Sequence, residues 1–249
     1  MSSFNDTDVQ HRSGSEAVAG TLYIVSTPIG NLGDISFRAV KILSTVDLIA
    51  AEDTRTTGIL LSHCDIHKPL VSNYSYNEVR RVPELIEKLK KGISIAVVSD
   101  AGTPGISDPS VRVIRAAIAA EIPVVAIPGA TAFLPALVTS GLPVDRFVFE
   151  GFLPVKKGRK TLLEKLKSEE RTIILYESPH RLLKTLQALL DAIGDRKISV
   201  SREITKKFEE TFRGRVSAAI AHFTKTTVRG EFVLVIDGCR NSGEGEPEE

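Results

Sequence analysis

The stretch Ser99-Asp-Ala-Gly-Thr-Pro-Gly-Ile-Ser-Asp108 decides the fold that we expect for this chain. It follows the apolar run 93–98, which is typical of a buried parallel strand, and it precedes the apolar-periodic segment 111–118, which predicts a helix. Asp108 and Pro109 have the form of a helix N-cap followed by a proline at the first helical position. We therefore expect a strand-to-helix loop in an open α/β sheet, where such sheets bind ligands.

Two glycines in this loop allow a ligand to approach its backbone. Gly102 and Gly105 permit backbone conformations that other residues avoid, and they leave no side chain between the backbone and a ligand. The loop has neither the Gly-Lys-Ser/Thr ending of a triphosphate-binding loop nor the G-x-G-x-x-G pattern of a dinucleotide-binding fold. The same residue types also occur in loops that only turn the chain, so this loop alone leaves both interpretations open.

Two further small-residue loops follow predicted strands. Strand 21–26 leads into Thr27-Pro-Ile-Gly-Asn-Leu-Gly-Asp34, and strand 124–127 leads into Pro128-Gly-Ala-Thr-Ala132. The other elements predicted here are strands at 47–51 and 70–74 and helices at 35–46 and 78–91. Strands and helices thus alternate, and the carboxyl ends of parallel strands meet at one edge of a sheet. We expect the three loops to form one ligand crevice there.

A charged cluster stands where the predicted strand 47–51 ends. Glu52, Asp53 and Arg55 follow this strand within four residues. A carboxylate can accept or orient a proton, and an arginine can hold a phosphate. A helix N-cap by Asp53 or Thr54 with an ion pair to Arg55 accounts for the same residues. Both interpretations stay open at this point.

The length and composition predict two globular domains. The chain has 249 residues, of which 42% are hydrophobic and 25% are charged, and this composition is ordinary for a folded protein. We expect a disordered tail over 1–19, an N-terminal α/β domain over 20–142, a C-terminal α/β domain over 143–240 and an acidic tail over 241–249.

Targeting and redox signals are weak. Residues 1–20 are polar, so they do not resemble a signal peptide. The uncharged stretch 122–144 contains four prolines, and we interpret it as strand, loop and helix and not as a membrane span. Cys64 and Cys239 lie far apart and outside any C-x-x-C pattern. A disulfide framework and a zinc site are therefore not predicted, and a reducing cytoplasm is expected.

The second predicted domain carries an excess of positive charge. Residues 141–240 contain 20 Lys and Arg against 13 Asp and Glu, whereas residues 1–140 contain 12 against 14. The candidates for contact with a polyanion are Lys156, Lys157, Arg159, Lys160, Lys206 and Lys207. A solvated surface explains any single cluster equally well. Strands are predicted at 146–150, 172–176, 198–201, 209–215 and 232–236, with helices at 181–193 and 216–223.

Five motifs in this order resemble those of one family. They are Ser-Thr-Pro-Ile-Gly-Asn-Leu-Gly-Asp (26–34), Ala-Ala-Glu-Asp-Thr-Arg (50–55), Val-Ser-Asp-Ala-Gly-Thr-Pro (98–104), Glu-Gly-Phe-Leu-Pro (150–154) and Tyr-Glu-Ser-Pro-His-Arg-Leu (176–182). The chain resembles the bacterial ribosomal RNA small subunit methyltransferase I family from about residue 20 to residue 238. Arg229 precedes Gly230 where a lysine is expected, which keeps the charge.

The resemblance implies a fold and an activity. The fold is that of the tetrapyrrole methylases, or class III methyltransferases, with two α/β domains and the cofactor cleft between them. The activity is S-adenosylmethionine-dependent 2′-O-methylation of a cytidine in small-subunit (16S) ribosomal RNA. The resemblance implies cofactor contacts at Pro28, Asp100, Gly102, Ile106, Thr131, Ala132, Tyr176 and Glu177.

Chemical roles can be assigned to several of these positions. Asp100 is expected to favour the positive groups of the cofactor, and backbone amides near Gly102 are expected to meet its carboxylate. A 2′-hydroxyl is a weak nucleophile, so Glu52 and Asp53 are the candidates for accepting or orienting its proton, with Arg55 on a neighbouring phosphate. We expect no metal ion.

Two alternative functions remain at this stage. A tetrapyrrole C-methyltransferase shares the fold but needs neither the basic second half nor the cluster at 50–55. A non-enzymatic RNA-binding protein of ribosome assembly needs the basic surface but not three converging loops. The expected partner is small-subunit RNA, either free or in the assembled 30S subunit, and the resemblance to this fold class implies a homodimer.

Overall fold

The computed structural model describes residues 16–74, 76–108 and 110–239. The chain divides into two compact units, one ending at Thr131 and the other beginning at Ala132. Each unit contains its own five-stranded sheet with helices packed against it, which confirms the predicted pair of α/β domains. The predicted acidic tail and most of the predicted N-terminal tail lie outside the described residues.

The first unit is a parallel α/β sheet. Its strands are β1 (Leu22–Val25), β2 (Leu48–Ala51), β3 (Leu70–Ser72), β4 (Ile95–Val98) and β5 (Val124–Ile127). Its helices are α1 (Phe37–Thr45), α2 (Thr54–His63), α3 (Glu78–Lys90) and α4 (Val111–Ala119). The strand order is β3-β2-β4-β1-β5, and all neighbours are parallel. All five carboxyl ends therefore lie at one edge, as the sequence predicts.

Alternating residues of each strand enter two separate cores. Tyr23 and Val25 of β1 pack with α1 on one face, while Leu22 and Ile24 pack with α3 and α4 on the other face. The chain thus leaves the adjacent strands β1 and β4 toward helices on opposite faces of the sheet. An arrangement of this kind opens a crevice at the carboxyl edge in doubly wound folds.

The start of α4 differs from its prediction. The helix begins at Val111 with Ser110 as its N-cap residue, so the predicted N-cap at Asp108 is wrong, and Pro109 lies outside the described residues. Ser107 and Ser110 have φ values of 66° and 140°, and these positive values keep the backbone out of the helical conformation for longer than the Asp-Pro pair indicates.

The second unit has a mixed sheet. Its strands are β6 (Phe147–Phe152), β7 (Thr172–Glu177), β8 (Lys197–Arg202), β9 (Glu210–Arg215) and β10 (Phe232–Ile236), and its helices are α5 (Phe133–Val138), α6 (Arg159–Lys167), α7 (Leu182–Ile193) and α8 (Val216–Thr224). The order is β6-β7-β10-β8-β9, with β6 parallel to β7 and the other pairs antiparallel. Helices α6, α7 and α8 cover one face, and α5 covers the other.

Two features of the second unit differ from the sequence analysis. The unit begins at Ala132 and not at residue 143, because Ala136 and Leu137 of α5 pack on its sheet against Ile174 and Val233. Helix α6 was not predicted. The interpretation of 122–144 as strand, loop and helix is confirmed, and none of the helices in the described ranges combines the length and apolar character of a membrane span.

Candidate functional site

The loops that follow β1 and β4 are bound to each other through their backbones. Thr27 N–H donates to the Gly102 carbonyl at 2.9 Å, and Gly102 N–H donates to the Thr27 carbonyl at 3.0 Å. Gly102 is buried at φ +83°, and an added Cβ would lie 3.4 Å from Ile29 Cγ2. Glycine is therefore required here by the backbone. The Gly102 amide is already occupied, so only neighbouring amides can meet a ligand carboxylate as predicted.

The loop after β5 joins the same group. The Thr103 hydroxyl donates to the Ala130 carbonyl at 3.1 Å and also bonds the Ser26 hydroxyl at 2.9 Å. A Cβ on Gly129 would lie only 2.8 Å from Ser26 Cβ, so the third loop needs glycine to approach the first. The structure therefore brings all three predicted small-residue loops together at the carboxyl edge of the first sheet.

Five of the predicted cofactor positions lie in these loops. Pro28 is buried in the loop after β1, and Thr131 is half-buried at the end of the loop after β5. Asp100, Gly102 and Ile106 belong to the loop after β4, where Ile106 N–H donates to the Thr103 carbonyl. Asp100 is exposed, so its charge is open to a ligand.

The other three predicted positions, Ala132, Tyr176 and Glu177, belong to the second unit. Tyr176, at the end of β7, is half-buried among aromatic rings. Its ring centroid lies 5.0 Å from that of Phe149 and 5.7 Å from that of Phe152. Tyr176 therefore packs edge-on against two phenylalanine rings at this end of the second sheet.

The Glu177 carboxylate is buried and fully engaged within its own unit. It accepts hydrogen bonds from the Thr185 hydroxyl at 2.6 Å and from Ser178 N–H at 2.8 Å, and Arg181 Nε lies 3.4 Å from it. These contacts fasten the end of β7 to the start of α7. The Glu177 side chain is 0% exposed, so the backbone of this residue is the part better suited to contact a ligand.

Asp53 caps helix α2. Its carboxylate accepts from Arg55 N–H at 2.8 Å and from the Arg55 guanidinium at 3.1 Å (Nε) and 2.6 Å (Nη2). Hydrogen bonds from the Arg55 side chain and backbone lower the pKa of Asp53 to about 2. An acid of this strength is a poor proton acceptor near neutral pH. The capping interpretation of Asp53 and Arg55 is therefore correct in structural terms.

Glu52 lies in a different environment, although it adjoins Asp53 in sequence. Burial raises the pKa of Glu52, and the neighbouring charges of Asp100 and Asp53 add to that rise. Asp100 N–H donates to Glu52 Oε2 at 3.3 Å, and Asp53 N–H donates to Asp100 Oδ1 at 3.0 Å. The end of β2 and the loop after β4 are thus joined in both directions. Of the two acidic candidates, Glu52 is the better base.

The first basic cluster separates into exposed and anchored residues. Lys156, Lys157 and Lys160 are exposed. The Arg159 guanidinium instead donates to the Thr185 hydroxyl at 2.9 Å and to the Pro154 carbonyl at 3.3 Å. Arg159 therefore fastens the first turn of α6 to α7, which makes the three exposed lysines better candidates for contact with RNA. The partners lie 26 and 5 residues away, which the sequence does not indicate.

The second basic pair divides in the same way. Lys206 Nζ lies 2.9 Å from carboxylate oxygens of both Glu203 and Glu231, so most of its charge is neutralised within the unit. Lys207 is exposed, with its Nζ 5.7 Å from the Phe208 ring centre. Lys207 is the better candidate for contact with an anion. Within the part of the chain that the structure describes, no group of His, Cys, Asp and Glu side chains is arranged to hold a metal ion.

Comparison with known proteins identifies close relatives. Residues 21–220 match the family model of the tetrapyrrole (corrin/porphyrin) methylases. A Synechocystis protein named ribosomal RNA small subunit methyltransferase I is 57% identical over 222 residues, covering 88% of this chain and 80% of the relative. A Thermotoga maritima protein of the same name is 49% identical over 219 residues, covering 88% of this chain and 99% of the relative.

Solved structures agree on the fold. The uroporphyrin-III-C-methyltransferase from Thermus thermophilus has a TM-score of 0.62 at 18% identity, covering 88% of this chain and 94% of that one. A cobalt precorrin-4 methyltransferase of cobalamin biosynthesis has a TM-score of 0.65 at 16% identity, covering 88% and 95%. These likenesses confirm the predicted tetrapyrrole-methylase fold class.

Proposed function

The chain belongs to the ribosomal RNA small subunit methyltransferase I family, and from this premise we propose that it methylates the 2′-hydroxyl of a cytidine in small-subunit ribosomal RNA. The methyl donor in this proposal is S-adenosylmethionine, the usual cofactor of methyltransferases. The observation that carries the proposal is the union of three small-residue loops with a partly buried carboxylate, Glu52, at one sheet edge.

The first-unit loops fit such a cofactor. Gly102 adds no side chain at the point where the loops after β1 and β4 meet. Asp100 holds Asp53 N–H through Oδ1, while its Oδ2 has no hydrogen-bond partner among the described residues. That oxygen would accept from the cofactor's ammonium group, and its charge would favour the sulfonium. Pro28, Ile106 and Thr131 would supply the remaining contacts from this unit.

The second unit would add Ala132, Tyr176 and Glu177. Tyr176 offers an aromatic edge supported by Phe149 and Phe152, which suits an apolar or ring-shaped portion of a ligand. The Glu177 side chain would act indirectly, by holding the end of β7 in place through Thr185. Bound in this way, the cofactor would supply an electrophilic methyl group, and the protein would supply alignment.

Glu52 is the group that we assign to the proton of the 2′-hydroxyl. Its carboxylate is partly desolvated, and its raised pKa brings its basicity nearer to that useful at neutral pH. Arg55 is 88% exposed at its side chain, and its Nη1 has no partner in the described part of the chain. That nitrogen would contact a phosphate next to the target ribose, while Asp53 holds the guanidinium in position.

The second unit would hold the RNA through exposed lysines. Lys156, Lys157, Lys160 and Lys207 are all open to solvent and would contact the phosphate backbone. Either free small-subunit RNA or the assembled 30S subunit would be the partner. We extend the proposal to a homodimer in the cytoplasm. Light scattering on the purified full chain would test the dimer.

The decisive experiment uses the full chain with tritiated S-adenosylmethionine. Unmethylated 30S subunits, free 16S RNA and a tetrapyrrole precursor are offered in parallel, and the labelled RNA is digested to nucleosides for mass spectrometry. The proposal predicts 2′-O-methylcytidine in the RNA and no label in the tetrapyrrole. Transfer to the tetrapyrrole alone, or to a base carbon of the RNA, would contradict it.

A further inference from the structure

A second concave site lies in the first unit, apart from the three joined loops. It is a cavity of about 470 Å³ lined by Glu78, Asp108, Ser110, Val111, Arg112 and Arg115. This volume lies within the range of about 300–1,000 Å³ that is usual for small-molecule sites. The cavity sits where helices α3 and α4 both begin, because Glu78 is the first residue of α3 and Val111 is the first residue of α4.

Glu78 has an unused hydrogen-bond acceptor in this cavity. The residue is only 6% exposed, and its Oε2 lies 3.3 Å from Arg112 Nε. Its Oε1 is buried and has no hydrogen-bond partner within the described ranges of the chain. Leaving a buried carboxylate oxygen unpaired is unfavourable. A ligand that donates a hydrogen bond to Oε1 would remove this cost.

The rest of the cavity suits an anion. Arg115 is exposed and makes no ion pair with any residue that the structure describes. No side-chain cap bond forms at Ser110, the N-cap residue of α4, whereas the Glu78 and Arg80 amides at the start of α3 already donate to backbone carbonyls. Of the two helix ends, the start of α4 is therefore the one better suited to an anion. The Asp108 carboxylate also lines the cavity but already interacts within the chain. The ligand must therefore combine a negative group with a hydrogen-bond donor.

The cavity belongs to the sheet edge that carries Glu52. Helix α3 follows β3 and helix α4 follows β4, and these two strands flank β2, at whose end Glu52 stands. Asn73, directly after β3, is 2% exposed, and neither polar atom of its side-chain amide has a partner in the described part of the chain. Glu78 and Asn73 are thus two buried polar side chains with unpaired atoms at the same sheet edge as the proposed catalytic carboxylate.

We propose that this cavity binds one ribonucleotide unit of the RNA substrate, next to the nucleotide that is methylated. Arg115, in the second turn of α4, receives its phosphate near the start of that helix, and Glu78 Oε1 accepts from a ribose hydroxyl of the same unit. The ribose hydroxyl also distinguishes RNA from DNA. This inference rests on the proposed RNA substrate, and it adds a subsite in the first unit to the lysines of the second.

The first test compares Arg115→Gln with Lys91→Gln, which removes an exposed charge at the opposite end of α3. The assay is methyl transfer to in vitro transcribed 16S RNA at several salt concentrations. Arg115→Gln should raise the KM for RNA about tenfold, as expected for a lost charge-assisted hydrogen bond. The slope of log KM for RNA against log salt concentration should become shallower by about 0.7. The kcat and the Kd for S-adenosylmethionine should not change. Lys91→Gln should change none of these quantities.

The second test uses Glu78→Gln and direct binding. A labelled single-stranded oligoribonucleotide and its deoxyribonucleotide counterpart are compared by fluorescence anisotropy, and the melting temperature of the variant is recorded. The wild type should prefer the ribonucleotide, and Glu78→Gln should reduce that preference. If Glu78→Gln does not fold, the Arg115→Gln result still decides the question.

The outcomes separate this inference from the proposed function. If the wild type methylates 16S RNA but Arg115→Gln matches Lys91→Gln in KM and salt slope, the subsite is refuted and the activity stands. If the wild type transfers no methyl group to RNA, the proposed function fails. The binding assay then tests the cavity by itself, and equal oligoribonucleotide affinity for wild type, Arg115→Gln and Glu78→Gln refutes the subsite.

Discussion

Exchanging Glu52 for glutamine should stop most of the methyl transfer while leaving cofactor binding intact. Glutamine has the same shape and keeps an oxygen that can accept from Asp100 N–H, the contact that Glu52 Oε2 makes at 3.3 Å. What it loses is the ability to take a proton. General-base assistance contributes typically about 10²–10⁴-fold, so the single-turnover rate at saturating RNA should fall by about 10²-fold or more, which is about 2.7 kcal/mol in the barrier.

The pH profile adds a second signature. Burial raises the pKa of Glu52, and the base acts only when it is deprotonated. The wild-type rate should therefore fall as the pH drops through a value above the ordinary glutamate pKa of 4.5. In Glu52→Gln this acidic limb should be absent. Rapid-quench single-turnover assays with tritiated S-adenosylmethionine measure both the rate and its pH dependence.

Asp53→Asn is the matched control, because it removes the same charge from the neighbouring residue. Asparagine still caps a helix well, so α2 should persist, and the pair with Arg55 that is lost is exposed and weak. The rate at saturating RNA should stay near that of the wild type, with a higher KM for RNA if Arg55 loses its orientation. A wild-type rate in Glu52→Gln, or an equal loss in both variants, would refute the assignment of the base to Glu52.

Three further changes test the site and the fold. Gly102→Val should lower the free energy of unfolding by roughly 1–3 kcal/mol, because Gly102 has φ +83°, which strains a branched residue; calorimetry on the folded fraction should also show lost affinity for S-adenosylmethionine. Replacing Lys156, Lys157 and Lys160 together with glutamine should weaken RNA binding and flatten its salt dependence without changing cofactor affinity. Glu169 has its pKa lowered from 4.5 to about 2 by its hydrogen bonds with Arg171. It therefore stabilises the fold above pH 4.5 and loses that effect as the pH falls toward 2, so Glu169→Gln should show a shallower acid loss in pH-dependent denaturation.

Each of these predictions has a contradicting result. Gly102→Val that folds and binds the cofactor normally would mean that the loop meets no ligand at this point. An unchanged salt slope in the triple lysine variant would make that cluster a solvated surface, whereas Arg159→Gln should mainly reduce stability, because Arg159 bonds Thr185 and Pro154. Equal acid sensitivity of Glu169→Gln and the wild type would show that Glu169 has the same pKa in the unfolded chain.

Most of the strands and helices could be predicted from the sequence, because they depend on residues that are neighbours in the chain. Buried β-branched runs followed by glycine and proline give the parallel strands and their loops in the first unit. Helix α6 was not predicted because it is short, four of its nine residues are Lys or Arg, and only Leu163 and Leu166 are fully buried. The boundary at residue 132 depends on α5 packing against strands far along the chain, a contact that no local pattern reveals.

The sequence predicted which loops form the site, but it did not predict which of their charged side chains are paired and which are available. Glu52 and Asp53 are adjacent carboxylates of similar intrinsic acidity, and only the fold desolvates one and pairs the other with Arg55. Arg159 and Lys206 were predicted to contact RNA from residue type alone, and the fold supplies each with a distant partner, Thr185 for Arg159 and Glu231 for Lys206. Residue type indicates which charges are present, whereas tertiary contacts decide which of them remain available.

Asp100 links the two halves of the proposed chemistry. Its carboxylate accepts from Asp53 N–H, and its own N–H donates to Glu52, so the proposed cofactor contact and the proposed base share one backbone junction. A cofactor that draws the Asp100 carboxylate toward its ammonium group would change the position and the electrostatic surroundings of Glu52, since the charge of Asp100 contributes to the raised Glu52 pKa. Neutralising that charge on cofactor binding would lower the Glu52 pKa and increase its deprotonated fraction. The base would then be most available when the methyl donor is in place.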